Sequence, residues 1–434
     1  MLSLVCFALR QYTPGDPVRR LLPAGEARQV DDDPLAYDRA YRRAAVTLGL
    51  DRPAFYLTLA NGALPDTLHR IVRPQERVMV RALTLANGNW PATQRYYQAL
   101  RQVAYQDGVF GPDYRRLLLQ DDPARIATLI GELPTDDPVR STFTAYQSQP
   151  TRSRLLLPAL RWHGSDNQYH HWLMAFLRGD PGRSLTDGRP VAEKIGPALK
   201  WTALINGLAI GLVFLIAVPT GLRAAGYAGG WFDRLTTVGM FLLFGIPSFW
   251  VATLLANFFT TPAFGMDFFP SMGVGELPPD ANWWTALRIR AAHLFLPVVC
   301  LAYPSWAYVS RHLRRAAAAE LTKPYVKTAR LKGLAHDRIL WSHVLRNAAF
   351  PLITLAGSLL PALLAGSVLI ERIFNLPGMG QLLYNAALAD DWPVIITLVL
   401  LNGVLTAIGL LLADLGYRLA DPRVRLAAAK SSVG

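Results

Sequence analysis

The chain has 434 residues, 52% of them hydrophobic and only 17% charged, with a formal net charge of +13. Soluble proteins usually carry about a quarter charged residues, so this composition points away from an ordinary soluble domain. Its two cysteines, Cys6 and Cys300, both lie in apolar stretches, which excludes a disulfide framework and any C-x-x-C metal spacing.

Met1–Leu9 is apolar, but so short a stretch falls below the roughly 20 residues that a bilayer core of about 30 Å requires. It lacks the basic start and cleavage site of a signal peptide. Residues 1–12 are expected to be the outer half of a first spanning helix whose other half precedes this sequence. From 13 to 190 the chain is polar and rich in Arg, Asp, Pro and Gln. Apolar residues recur at helical spacing at Tyr37, Tyr41, Ala45 and Leu48. Asp121-Asp122-Pro123 and Asp136-Asp137-Pro138 put carboxylates where the N–H groups of a helix or turn start want acceptors. His163, His170 and His171 are close in sequence, but adjacent histidines point to different sides of a helix or strand. They read as surface histidines, and no metal site is expected.

Five uncharged runs of spanning length follow: Trp201–Leu222, Leu235–Phe259, Ala291–Ser310, Ala348–Ile370 and Trp392–Ala413. Backbone groups in lipid must be satisfied internally, so these runs are expected to be helices. Pro219, Pro247, Pro297, Pro304, Pro351 and Pro361 lie inside them, at positions where a bundle tolerates a kink or break. Lys and Arg collect on the cytoplasmic side. Arg311–Arg346 is strongly basic, as is the tail through Arg418, Arg423, Arg425 and Lys430, whereas Asn375–Asp391 has no basic residue. Residues 223–234, 311–346 and 417–434 are therefore expected inside, and 13–190, 260–290 and 373–391 outside. Topology accounts for the net charge, and no nucleic-acid partner is needed.

No G-x-x-x-x-G-K-[ST], H-E-x-x-H or G-x-S-x-G occurs, so the P-loop and common membrane-hydrolase signatures are absent. The spans hold no charged residue: Glu371 and Asp414 sit at span ends and His293 near an outer end. Ion-coupled carriers usually need charge at depth, so the energy for any transport is expected from outside this chain. Asn206, Ser248 and Ser310 are polar positions within spans. They are candidates for lining a pathway, or equally for hydrogen-bonding a neighbouring helix.

The basic segment 311–347 is too short for an enzymatic domain. Tyr325–Lys332 is helix-compatible after Pro324, a good first-turn residue. Gly333 suits the left-handed conformation that ends a helix. A second helix fits His336–Arg346, with Leu340/Val344 and Trp341/Leu345 spaced i, i+4. The result is a helix–glycine–helix elbow, basic outside and apolar along one stripe, suited to a groove in a partner or to lipid headgroups.

Tyr325-Val326-Lys327-Thr328-Ala329-Arg330-Leu331-Lys332-Gly333-Leu334, followed by His343-Val344-Leu345-Arg346-Asn347, resembles the cytoplasmic loop of binding-protein-dependent ATP-binding-cassette (ABC) permeases, and specifically of their dipeptide/oligopeptide/nickel branch. Against the general pattern E-A-A-x3-G-x9-I-x-L-P, the chain matches at Ala329, Gly333 and Leu345. It departs at Lys327, His343 and Arg346, in ways similar to the peptide branch itself. Thr13-Pro14-Gly15-Asp16-Pro17, Leu48-Gly49-Leu50-Asp51-Arg52-Pro53, Arg178-Gly179-Asp180-Pro181-Gly182-Arg183-Ser184 and Ile246-Pro247-Ser248-Phe249-Trp250 are similar to further landmarks of that branch. So are Glu371-Arg372-Ile373-Phe374-Asn375-Leu376-Pro377-Gly378-Met379-Gly380 and Asp421-Pro422-Arg423-Val424-Arg425. The resemblance covers 178–427 closely and 13–53 loosely. The stretch 66–161 exceeds the family's usual loop and has no counterpart in it.

The resemblance implies an all-α polytopic protein of the bacterial inner membrane, with five clear transmembrane helices, a truncated first one, and a large periplasmic domain inserted between the first and second. The permease core is expected over 191–427, with a tail over 428–434. It further implies a transport subunit without cofactor or catalytic residues of its own. Tyr325, Lys327, Thr328, Ala329, Arg330, Gly333, Leu334, His343, Leu345, Arg346 and Asn347 would form the loop that docks on ATP-binding-cassette ATPase subunits. The other implied partners are a second homologous permease, a periplasmic substrate-binding protein and the lipid bilayer. A self-contained secondary carrier is the rival reading, against which stand the uncharged spans and the lack of internal repeats. A non-transporting scaffold would leave the elbow without a purpose.

Overall fold

The computed structural model describes residues 1–11, 16, 18–19, 22, 34–105, 112–262, 266–270 and 272–420. The motifs at Thr13–Pro17 (Asp16 aside) and Asp421–Arg425 lie outside these residues, as does the 428–434 tail. The chain divides into two compact units, Tyr12–Asp180 and Met1–Gln11 with Pro181–Gly434.

In chain order, α1 (Leu2–Gln11) belongs to the second unit, and α2 (Pro34–Thr47) to the first. The first unit continues through β1 (Leu57–Asn61), a 3-10 turn (Asp66–Arg70), α3 (Pro74–Asn87), α4 (Trp90–Ala104), α5 (Pro112–Leu119), α6 (Pro123–Gly131) and α7 (Pro138–Ser148). A short turn of helix, Ser153–Leu156, then leads to β2 (Pro158–Trp162), and α8 (Gln168–Leu177) closes the unit. The helix starts follow from local chemistry. Asp122 and Asp137 each accept the N–H two residues on, from Ala124 at 3.0 Å and Val139 at 2.7 Å, with proline next in sequence to fix φ. The unit's main core is Met79, Val80 and Leu83 from α3, Tyr96 and Leu100 from α4, Leu117, Ile126 and Phe143. All of these lie inside the stretch 66–161, which therefore carries its own core.

The two strands pair antiparallel, Leu57 opposite Trp162 and Asn61 opposite Pro158. They are a departure from the all-α expectation, and they bring the two ends of 66–161 side by side.

The second unit is helical: α9 (Val191–Gly226), α10 (Trp231–Gly245), α11 (Ser248–Phe259), α12 (Trp283–Leu321) and α13 (Pro324–Leu331) come first. Next come α14 (His336–Arg338), a π-helical turn (Ile339–Val344) and α15 (Leu345–Ala348). The unit ends with α16 (Phe350–Ile373), α17 (Met379–Leu388) and α18 (Trp392–Ala420). Among the described residues three helices are long and apolar enough to cross a membrane, within α9, α12 and α18, and a bent pair makes up to four. That pair is the expected run 235–259, broken at one of the prolines where a kink or break was expected. α10 and α11 meet at 92° across Ile246-Pro247, because proline offers no N–H and its ring clashes with the preceding turn. The other expected run, 348–370, is helical as the 24-residue α16.

α9 and α12 pack against each other at the heart of this unit, through Ile205, Ala209, Val213 and Ala217 on one side and Cys300, Leu301, Val309 and Leu313 on the other. Small residues let the backbones close up: a Cβ on Gly221 would come within 2.8 Å of the Ser310 carbonyl. α12 also continues eleven residues past Ser310, so the first part of the segment expected as a loop is the end of a helix.

Candidate functional site

The elbow begins where α12 ends. Lys323 is extended and Pro324 opens α13. The helix closes with Gly333 at φ 75°. The Gly333 N–H donates to the Arg330 carbonyl at 2.9 Å and the Leu334 N–H to the Ala329 carbonyl at 3.3 Å. These two bonds make a Schellman motif, which satisfies carbonyls that a helix end otherwise leaves orphaned.

Val326 and Ala329 are buried against the unit's core, whereas Lys327, Thr328, Arg330, Leu331 and Lys332 are exposed. Leu331 is 89% exposed, an apolar tip ringed by Lys327, Arg330 and Lys332. The second arm differs from the single α-helix expected over His336–Arg346, since its centre is the wider π-helical turn. Leu340 and Val344 are both buried, as their pairing requires, but Trp341 is 44% exposed and Leu345 half-buried.

Several contacts tie the arms together and to the neighbouring helices, and a separate ion pair joins α10 to α12. The Tyr325 hydroxyl donates to Glu320 Oε2 at 2.7 Å and accepts from Asn347 Nδ2 at 3.1 Å, joining both arms to the end of α12. Burial, with Glu320 beside it, raises the Tyr325 pKa above the usual phenol value, against the opposing bond from Asn347. His336 meets the Gly226 carbonyl at 3.2 Å and packs edge-on to Tyr227. Leu340 lies so close to Gly226 that a Cβ there would sit 2.5 Å from Leu340 Cδ1. Arg314 grips Asp233 with two parallel bonds, Nε to Oδ1 at 2.5 Å and Nη2 to Oδ2 at 2.7 Å, and the Gly229 N–H adds a third at 2.9 Å. Arg314 holds the Asp233 carboxyl below the usual carboxylate range. His343 and Arg346 make no such brace: His343 is half-buried in the π turn and Arg346 is exposed.

The three pathway candidates do not converge. Ser310 is fully buried and meets Thr220 Oγ1 at 3.0 Å, a helix-to-helix bond that Trp306 Nε1 extends by donating to Thr220 at 3.2 Å. Asn206 lies fourteen residues from Thr220 along α9, about 21 Å at 1.5 Å per residue. It is 1% exposed, and neither atom of its amide has a partner. Ser248 opens α11 just past the 92° bend.

Two carboxylate sites emerge whose roles the sequence reading had not assigned. Glu371, fully buried at the end of α16, accepts from Thr202 Oγ1 at 2.9 Å and from the Gln381 N–H at 2.9 Å. Thr202 accepts from the Met379 N–H at 2.7 Å. The carboxylate thus caps the N-terminus of α17, where helix N–H groups stand unpaired, and links α9, α16 and α17. The close glycines Gly378 and Gly380 were the available signal, since they leave room for the carboxylate.

Asp391, 2% exposed before α18, takes the Ser184 hydroxyl, the Leu185 N–H at 3.0 Å and the Thr186 hydroxyl at 3.1 Å. Lys194 donates to Ser184 at 2.8 Å and pairs with Asp187 at 2.9 Å, and its bond holds the Asp187 carboxyl down to about 2. Among the described residues no group of three or more His, Cys, Asp or Glu is arranged to hold a metal. His163, His170 and His171 instead meet Thr58, Tyr56 and Asp166 separately.

Residues 217–426 match the family described as binding-protein-dependent transport system inner membrane component. The oligopeptide transport system permease protein AppB of Bacillus subtilis is 34% identical over 258 residues, 59% of this chain and 79% of that protein. A probable peptide ABC transporter permease of Sinorhizobium fredii is 33% identical over 259 residues, 59% of this chain and 80% of the other. The inward-facing MetNI methionine ABC transporter matches with a TM-score of 0.42 and 16% identity, covering 52% of this chain and 95% of that one. Apolar helices of spanning length and relatives of this identity, matched over four-fifths of their own length, place the chain among multi-pass membrane proteins, and it belongs to the binding-protein-dependent ABC permeases, in their peptide/oligopeptide family.

Proposed function

We propose that this chain is the membrane-spanning subunit of an ABC importer that moves peptides across the bacterial inner membrane by alternating access. α9, the bent pair α10–α11, α12, α16 and α18 would be its five full spans, with α1 part of a sixth. The elbow would lie in the cytoplasm and the unit Tyr12–Asp180 in the periplasm. A second homologous permease would complete the pathway, and a periplasmic binding protein would deliver substrate to it. ATP would be hydrolysed on separate ATPase subunits docked on the elbow.

The observation that carries this reading is the elbow's build. Its tip offers the exposed Leu331 inside a basic ring, a shape suited to a groove in a partner. Its arms are fixed to the ends of α9 and α12 through His336–Gly226 and Tyr325–Glu320, and α10 is tied to α12 through Asp233–Arg314. A push at the tip therefore reaches the helices with little slack. The uncharged spans support an energy source on another chain.

The test is gentle detergent purification of the tagged chain from its native membrane, with mass spectrometry of what accompanies it. P-loop ATPase subunits and a second permease are the expected companions. A chain recovered alone, repeatedly and under cross-linking, would overturn the proposal.

A further inference from the structure

The stretch 66–161 has no counterpart in the family pattern, and the transport reading leaves it unused. One face of α4 builds the unit's core through Tyr96, Leu100 and Ala104. The other face lines an open pocket of 690 Å³, flanked by residues of α2 and the 3-10 turn Asp66–Arg70. Ligand sites generally fall between about 300 and 1,000 Å³.

The floor is aromatic and rigidly held. Tyr97 and Tyr105 donate their hydroxyls to the buried Glu76, at 2.6 and 2.5 Å, so their rings stay fixed against the cavity. Trp90 adds an indole at the start of α4. Arg101 is spent internally, on Asp38. The opposite wall holds Arg42 and Arg70, both exposed, and among the described residues neither pairs with a carboxylate. Two unneutralised guanidinium groups at an aromatic cavity call for an anion, and arginine favours planar carboxylates.

The remaining lining narrows the ligand. Gln94, Gln98 and Gln102 stand at i, i+4 and i+8 along α4, and none of their amides is hydrogen-bonded among the described residues. Four residues of helix advance about 6 Å, and two residues of extended peptide about 6.6 Å. A ladder of free amides with nearly that repeat can give and take hydrogen bonds with the backbone of an extended peptide laid along it.

We propose that the unit Tyr12–Asp180 carries its own binding site for a short extended peptide. Arg42 and Arg70 hold the free C-terminal carboxylate, the glutamine ladder of α4 pairs with the backbone, and Trp90 and Tyr97 receive an apolar or aromatic side chain. This site rests on the peptide-transport reading for its ligand class, and all of its residues lie within the unit Tyr12–Asp180.

The experiment is isothermal titration calorimetry on the full chain in lipid nanodiscs, using the tripeptide Ala-Ala-Phe and its C-terminal amide. Saturable heat is expected for the free acid, with the amide at least tenfold weaker. The double variant Arg42→Gln/Arg70→Gln is also expected at least tenfold weaker. Both arginines are exposed, so that variant should keep its elution profile and helical content. Gln98→Ala should weaken binding severalfold through the ladder alone. No saturable heat up to millimolar peptide, equal binding of acid and amide, or full binding by the double variant would each overturn the site. Uptake by whole cells separates the two readings. Uptake without titration heat removes the site and leaves the transporter, whereas heat that depends on the two arginines without uptake supports the site and removes the transporter.

Discussion

Gly333 and Gly378 are both intolerant of a side chain, for different reasons. At Gly333 the backbone has φ 75° and nothing lies within 4 Å of where a Cβ would go, so a substitution meets conformational strain and no clash. Left-handed backbone costs most L-residues about 1–2 kcal/mol and asparagine less. Gly333→Val is expected to abolish peptide uptake at unchanged membrane abundance, with Gly333→Asn keeping a substantial part of it. Normal uptake by a stably inserted Gly333→Val protein would count against the elbow's role. At Gly378 the obstacle is the Glu371 carboxylate, which a Cβ would overlap. Removing that carboxylate has its own cost. Glu371→Ala leaves the Gln381 N–H and the Thr202 hydroxyl without their acceptor in a buried site, at about 1–3 kcal/mol for an unsatisfied group. Glu371→Ala is expected to lower the thermal midpoint in detergent clearly, and Glu371→Gln, which keeps one acceptor oxygen, to lower it less.

The bend between α10 and α11 shows what an element needs when it breaks inside an apolar surround. Proline at 247 frees backbone carbonyls, and a polar group unpaired in lipid is costly. The Ile246 carbonyl is taken by the Tyr303 hydroxyl from α12 at 2.7 Å. Tyr303→Phe keeps the ring and removes only that donor. It should destabilise the protein by about 1–3 kcal/mol, read as a lower thermal midpoint, whereas Tyr308→Phe, on the same helix but more exposed, should leave the midpoint unchanged. Pro247 was visible in the sequence as a place for a break, because proline's geometry is local. The 92° angle and its hydroxyl partner were not, because they depend on which helix packs alongside. The elbow divides the same way. Its first helix and the left-handed Gly333 follow from residues next to one another, while the π-helical turn over Ile339–Val344, where Leu340 packs against the distant Gly226, is not a local feature. Glu371 was legible as a charge at the edge of a span and as the start of a family landmark, but not as a cap, since its partner Thr202 lies 169 residues away along the chain.

At the scale of the whole molecule, the five apolar runs fall largely on helices of the second unit, three of which, or four with the bent pair, pass as spans among the described residues. The core within 66–161 was less legible, since its helices are short and their apolar stripes are interrupted by tyrosines and arginines. Sidedness rests on the distribution of basic residues, and the native thiols make it directly measurable. Cys6 and Cys300 are 2% and 0% exposed, so a membrane-impermeant maleimide should react little with the unaltered chain. New cysteines at exposed positions then report where each segment lies. Leu331 at the elbow tip, Leu388 at the end of α17 and Leu160 on β2 are 89%, 72% and 65% exposed. Leu331→Cys is expected to react only after the inner face is opened to reagent. Leu388→Cys and Leu160→Cys are expected to react in intact cells whose outer surface alone is accessible. Labelling of Leu331→Cys from outside would invert the topology and remove the elbow from reach of any cytoplasmic ATPase. Protection of Leu160→Cys alone would keep the elbow in place and move the peptide site in Tyr12–Asp180 away from incoming substrate.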